Sequence, residues 1–336
     1  MYKIKLVFFL ILLSILALYS SSLPLSTTIL KQTEQCFFDG QIPCIFLSDI
    51  NNGFAYPFFV NQTPIPYYFA LIFRLLGFNY SLSLNFSTII VLIASIYFFK
   101  KIFFQKNSFL SIFISFLISL IFFYFSNLYL LLAFCLLVYL ISSKPQIFAL
   151  AVCLTIISSS KSILTPILIF ILLTILFLFK NKTTKLWLSF FLGIMLSSFY
   201  LGPAIFNKSP DLPSDILKYN NSLTPLLING NADISEYRKR SNFWRFTINT
   251  IGDQNSLISI PIVFYDGWTY FIDQVETSPY NPIQLQPVQL SLPPGKHTVT
   301  AFLKGNKINF ISNILTLIAL VSIFVITFPK HVHKIS

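Results

Sequence analysis

Charge is scarce in this chain, and negative charge is scarcest. Of 336 residues, 11 are Asp or Glu and 23 are Lys or Arg, so only 10% carry charge, against roughly 25% in soluble domains. Apolar residues make up 55% and the mean hydropathy is +0.75. These values point to a polytopic membrane protein. The net charge of +12 does not indicate nucleic acid, because the lysines fall in short clusters between apolar runs, the pattern of topology-setting cytoplasmic loops. Glycine is also rare, at 10 residues, and with the bias to Phe, Ile, Lys and Asn this reflects AT-rich coding and carries no functional information. Among the four cysteines there is no CxxC pair and no Cys/His metal spacing. Cys135 and Cys153 fall inside apolar runs as small core residues. Cys36 and Cys44 flank a polar stretch, and both a disulfide and two separate thiols stay open for them; the disulfide requires an extracytoplasmic location.

A membrane span needs about 20 apolar residues, sometimes 17. Segments 4–21, 86–104, 108–125, 127–142, 146–160, 164–180, 186–204 and 309–329 meet or approach that length. The first follows Lys3 and Lys5 as a signal peptide would, but no A-x-A site follows it, so a retained helix is expected. Residues 65–78 are too short to span and contain Arg74. If they do not span, Lys3, Lys5, Lys100, Lys101, Lys106, Lys144, Lys180, Lys182, Lys185, Lys330 and Lys334 all face the cytoplasm. The membrane half then leaves Lys31, Arg74 and Lys161 outside. Residues 65–78 are therefore expected as an amphipathic helix in the outer interface.

The fold class that follows is an α-helical polytopic membrane protein of about eight spans with an extracytoplasmic β-sandwich-like domain before the last helix. Residues 1–204 would form the bundle, with 22–85 as its first outer loop. Residues 205–308 would form the β domain, and 309–336 the last helix and a cytoplasmic tail. Strands are expected at 242–250, 256–265, 268–275, 288–292 and 297–303, from alternation and β-branched or aromatic enrichment, with turns at Asp266-Gly267 and Pro293-Pro294-Gly295. Trp268, Tyr270 and Ile272 would share one buried face.

No acid lies in any expected span, which argues against a proton-coupled carrier. Eight of the 11 acids fall at 205–308, and Glu34, Asp39 and Asp49 share the first outer loop. Acids at the outer face suit transfer of a sugar from a polyprenyl phosphate. A carboxylate takes the acceptor hydroxyl proton, and cations, or a divalent metal held by carboxylates, hold the leaving phosphate. Asp49, Asp39 and Glu34 are the candidate catalytic acids. Arg74, Lys161 and Lys31 are the candidate phosphate-binding cations. Each also has a structural reading: Asp39-Gly40 as a turn, Asp49 as a cap before Asn51-Asn52-Gly53, Arg74 as a snorkelling side chain. His297, His331 and His333 are poor ligand candidates, one in the β domain and two in the tail.

The stretch "DGQIPCIFLSDINNGFAYPFFVNQTPIPYYFALIFRLLGFNYSLSLN" resembles the first outer loop of bacterial GT-C-type membrane proteins, including YfhO-like proteins and 6-pyruvoyl-tetrahydropterin synthase-related membrane proteins. The resemblance is carried by Asp39, Gly40 and Pro43, then Gly53, Tyr56 and Pro57, then Pro64, Tyr67 and Tyr68, then Gly77. At the other end, "IPIVFYDGWTYFID…LSLPPGKHTVTAFL" is similar to their terminal β domain through Gly267, Trp268, Asp273, Gly295 and His297. The two ends cover about 40% of the chain. The resemblance implies a GT-C helix bundle with its active site in the first outer loop. It also implies an acid directly after the first helix, where this chain reads "SSSLPLSTTIL", so a reduced or inactive member is part of the expectation.

The leading expectation is a glycosyltransferase-like protein at the outer face of a bacterial cytoplasmic membrane, with both termini inside. Its partners would be the bilayer, a polyprenyl-phosphate sugar donor and a glycan or protein acceptor. The rival is a non-enzymatic scaffold of envelope glycopolymer assembly whose β domain binds a partner or glycan. A transporter comes third.

Overall fold

The computed structural model describes residues 24–50, 54–103, 115, 152, 183–206, 224–280, 282 and 286–327. Chain contacts divide the protein into two compact units, Met1–Thr27 with Gln62–Ile205 and Ile311–Ser336, and Thr28–Asn61 with Phe206–Phe310.

The first unit is helical. Numbered after α1 (Pro24–Phe38) and α2 (Phe58–Asn61) of the second unit, its helices are α3 (Ile65–Leu75), α4 (Tyr80–Phe103), α5 (Thr183–Leu196), α6 (Ser198–Phe206) and α7 (Lys307–Thr327). The windows Tyr80–Phe98 and Lys307–Val325 are long and apolar enough to cross a membrane. The α5–α6 junction is anchored by side chains of α7. Thr316 Oγ1 accepts the Phe199 N–H at 3.0 Å, and Ser198 Oγ donates to the Ser312 carbonyl at 2.7 Å. The first of these bonds satisfies a backbone N–H that a helix start leaves without an intrahelical partner, and Leu192, Leu196, Tyr200 and Ala319 form a cluster in the same helices.

The eight-span bundle expected from hydropathy is corrected here. Among the described residues there are seven helices, two of them long and apolar enough to span, together with two five-stranded sheets. Apolar length counts a run without testing whether it is one helix. The expected span 186–204 is broken at Ser197 into two helices, each too short to cross. Expected spans 4–21, 108–125, 127–142, 146–160 and 164–180 lie outside the described residues. Segment 65–78 contains the short helix α3, as its length required.

The second unit is a two-sheet sandwich. Helix α1 (Pro24–Phe38) begins at proline, which the first helical turn tolerates. It ends at Gly40, whose φ of +83° is the left-handed conformation of a helix stop. Strands β1 (Leu47–Ile50) and β2 (Phe54–Tyr56) and the single-turn α2 (Phe58–Asn61) follow. After α6 come β3 (Leu226–Asn229), β4 (Asn231–Lys239), β5 (Phe243–Ile251), β6 (Ser256–Val263), β7 (Trp268–Ile272), β8 (Val275–Thr277), β9 (Pro287–Leu292) and β10 (Gly295–Leu303). One sheet runs β1-β2-β6-β3 with β9 also on β6; the other runs β4-β5-β10-β7-β8.

The core lies between the sheets. Trp244, Phe246 and Ile248 of β5, Ile258, Ile260 and Ile262 of β6, Leu290 and Leu292 of β9, and Val299 and Ala301 of β10 form one cluster. Trp268 and Tyr270 join it, with Ile272 packed against it, so the expected buried face of β7 is present. The period-2 alternation that suggested these strands is the alternation that fills the sandwich.

The first loop is built into this sandwich. Ala55 of β2 pairs in parallel with Ile262 of β6. Phe46 is fully buried and meets Tyr265 and Trp268 edge-on, with ring centroids 5.0 and 5.5 Å apart. Of the expected first outer loop, 22–85, residues Thr28–Asn61 belong to the β unit and the part from Gln62 on to the helical unit. A disulfide joins Cys36 at the end of α1 to Cys44.

Candidate functional site

The acids expected to do chemistry are engaged in the fold. Asp49 Oδ1 is paired with the Lys239 ammonium of β4, with the side chains 33% and 13% exposed respectively. Its Oδ2 accepts from Gln32 Nε2 at 3.3 Å, while Gln32 Oε1 accepts the Ser48 hydroxyl at 2.7 Å and the Asp49 N–H at 3.2 Å. Lys239 also lies over the Trp244 ring, 4.7 Å from its centroid. Burial pulls the Lys239 ammonium below its ordinary range, and Asp49 opposes that pull. Burial, and secondarily the Asp49 charge, pushes the Tyr237 hydroxyl far above its usual value. This cluster ties α1, β1 and β4 together.

Asp39 has a second tying role. Its Oδ2 accepts the Ser241 N–H at 2.6 Å, and its carbonyl accepts from Asn242 Nδ2 at 3.0 Å, fixing the end of α1 to the β4–β5 hairpin. Gln41 supports the same joint by accepting the Ile45 and Phe46 N–H groups at 2.6 and 2.7 Å. Glu34 is half-buried on α1 and Lys31 is exposed on the same helix. Arg74 belongs to the other unit, where its guanidinium donates to the Phe78 carbonyl and stacks 4.0 Å from the Tyr80 ring centroid. Lys161 and the Asn51-Asn52-Gly53 turn lie outside the described residues. Within the β unit, then, Asp49 is tied to the end of β4 at Lys239 and Asp39 to the β4–β5 hairpin at Ser241. Among the described residues no group of three or more His, Cys, Asp or Glu is arranged for a metal ion.

A different place has the form of a binding site. The outward face of the β4-β5-β10-β7-β8 sheet holds an open cleft of about 480 Å³, lined by Arg245, Phe271, Asp273, Gln274, Thr298, Thr300 and Phe302. Strand alternation puts these residues outside because Trp244, Phe246, Val299, Ala301 and Tyr270 face in. Register sets one row across all five strands: Arg238, Arg245, Thr300, Phe271 and Glu276 are successive cross-strand partners. Phe271 and Phe302 stack with centroids 5.0 Å apart and planes 18° from parallel, forming an apolar wall.

The end of the cleft is held by an unusual turn. Asp273 and Gln274 form the two-residue β7–β8 loop with φ of 50° and 72°. That is the backbone of a hairpin turn which normally takes Asn, Asp or Gly, and Gln there carries strain of about 1–2 kcal/mol. Asp273 is fixed in place by accepting the Thr298 N–H at 2.8 Å and contacting His297 Nδ1 at 2.6 Å. These bonds, led by that from His297, hold its carboxyl below the usual carboxylate range. His297 Nε2 lies 3.1 Å from the Pro293 carbonyl.

Sequence reasoning singled out Asp273 and His297 through the resemblance, but not Arg238, Arg245 or the Phe pair. Their signal is cross-strand register, which needs the bulge in β4 between Ser235 and Arg238. Comparison with family models, with curated proteins and with solved structures finds no match to this chain, and the resemblance to YfhO-like proteins rests on the quoted residues alone.

Proposed function

We propose that this protein is a membrane-attached, non-enzymatic accessory protein of envelope glycopolymer assembly, and that its β unit holds a glycan on the open sheet face. The observation that carries this reading is the cleft. It combines an aromatic wall with hydroxyl, amide, carboxylate and guanidinium groups on a rigid sheet, the mixture that fits sugar rings, whose C–H faces are apolar and whose edges are hydroxylated. Two further observations agree. The apolar helices Tyr80–Phe98 and Lys307–Val325 suit membrane attachment. The Cys36–Cys44 disulfide suits a unit facing the oxidising side of a cytoplasmic membrane.

The transferase reading finds less support. A general base must be free to take a hydroxyl proton, whereas Asp49 is held by Lys239 and Gln32, and Asp39 by Ser241. The test is co-sedimentation of full-length protein in detergent with purified envelope polysaccharide. Phe271→Ala with Phe302→Ala is expected to abolish co-sedimentation without lowering the unfolding temperature by more than a few degrees. Retention by this double variant would sink the reading.

A further inference from the structure

We infer that the glycan held on this face is acidic, with its carboxylate or phosphate bound between Arg238 and Arg245; this rests on the proposed glycan-binding reading and narrows it.

Arg238 and Arg245 are directly opposed on neighbouring strands β4 and β5. Both are exposed and both belong to the outward face, because their neighbours Lys239 and Trp244 face the core side. Among the described residues neither guanidinium has an ion-pair or hydrogen-bond partner. Glu236, the nearest acid along the strand, accepts the Thr247 hydroxyl at 2.9 Å. Like charges directly opposite each other on a sheet are destabilising, so the free protein carries a repulsion that a bound anion would relieve. Paired guanidinium groups bind carboxylate or phosphate oxygens through bidentate, charge-assisted hydrogen bonds.

The rest of the row sets what the anion is attached to. From Arg245 the row continues through the Thr300 hydroxyl to Phe271, two strand spacings away, or about 10 Å. Phe302 stacks on Phe271 there, and Asp273 and Gln274 close the cleft. An isolated phosphate would occupy only the arginine end. A bilayer surface would find a carboxylate, Asp273, and Glu276 at the other end of the same row. A short saccharide that is anionic at one unit and presents a neutral ring at the next matches both ends. Hydrogen bonds from its hydroxyls would reach Thr298, Thr300 and Asp273.

The test measures binding of the full-length protein in detergent to four probes: a hexagalacturonate, a sugar-phosphate oligomer, a neutral cello-hexaose and phosphatidylglycerol vesicles. The inference expects at least one acidic oligosaccharide to bind ten-fold or more tightly than cello-hexaose. Arg238→Gln with Arg245→Gln should remove that preference and flatten its salt dependence, while Phe271→Ala should weaken acidic and neutral probes alike. Arg238 and Arg245 are exposed, and an unchanged unfolding temperature would show that any loss is local. Equal binding of cello-hexaose and the acidic probes, unaffected by the arginine variants, would overturn the inference and leave the glycan reading standing. No oligosaccharide binding at all would overturn both. Vesicle binding that depends on both arginines, without oligosaccharide binding, would assign the face to lipid and overturn the inference as well.

Discussion

Lys239 of β4 and Asp49 of β1, 190 residues apart in sequence, form an ion pair inside the β unit, with Lys239 over the ring of Trp244 and Asp49 beside Gln32. The pair joins the first loop to the rest of the sandwich. Removing one partner leaves the other half-buried charge uncompensated, which costs about 1–3 kcal/mol. Lys239→Met is therefore expected to lower the unfolding temperature of the full-length protein in detergent. Asp49→Asn should lower it too, and the double variant should lose less than the sum. Additive losses would mean the two side chains do not interact. A stable Asp49→Asn protein that has lost function in the cell would return Asp49 to a catalytic role.

The Cys36–Cys44 disulfide closes a short loop, eight residues apart in sequence. Loop-closure entropy for so short a ring gives about 2.5 kcal/mol. Cys36→Ser with Cys44→Ser is expected to lower the unfolding free energy from urea titration by that order. Reduction with dithiothreitol should reproduce the loss in the native chain and have no effect on the double variant.

Trp268 is 7% exposed in the core and meets Phe46 edge-on. Trp268→Ala should cost about 3–5 kcal/mol. Phe46 comes from the first loop, so a fragment of residues 205–308 alone lacks part of its core and the strand that pairs with Ile262. Co-expression of 28–61 with that fragment should raise its unfolding temperature. No change on adding 28–61 would contradict the docking.

Two pH limits follow from the same unit. Asp273 is held below its ordinary pKa, first by the bond from His297 and then by the Thr298 N–H. A carboxyl with a depressed folded pKa contributes stability above its unfolded value, about 3.9, and loses it as pH falls through the folded value. The urea midpoint should therefore fall below about pH 4, and Asp273→Asn should remove that slope. At the alkaline side, burial pushes Tyr237 and Tyr270 far above 10.0. Groups raised in this way contribute stability below their unfolded pKa and lose it as pH rises beyond. Lys239, lowered by burial, gives one proton of opposite slope against the two tyrosines. Unfolding should set in above pH 10 with both tyrosinates appearing together at 295 nm. Early, independent ionisation of Tyr270 would mean its hydroxyl is not buried.

Much of the sandwich was legible in the sequence. Strands β5, β6, β7, β9 and β10 were visible because each carries apolar residues at alternate positions, and the alternation survives because one face of each is core. Strand β4 was not visible: Glu236, with φ of 53°, sits in a bulge that breaks the period, so Ile234 and Tyr237 fall out of step. Strands β1 and β2 are short, and β2 is recruited by a parallel partner more than 200 residues away. The candidate site was illegible for a related reason. The acids Asp39 and Asp49 stand out against an apolar background, which drew attention to them, yet their partners Ser241 and Lys239 could not be assigned without the fold. Arg238 and Arg245 look like ordinary surface charges until register sets them side by side.

The most direct measurement places a photo-crosslinking amino acid at Thr300, in the middle of the row between Arg245 and Phe271, in living cells. Irradiation is expected to give an adduct of higher mass that is removed by glycan-degrading chemistry, and Phe271→Ala with Phe302→Ala should abolish it. An unmodified protein after irradiation, or an adduct that persists in that double variant, would contradict glycan binding on this face.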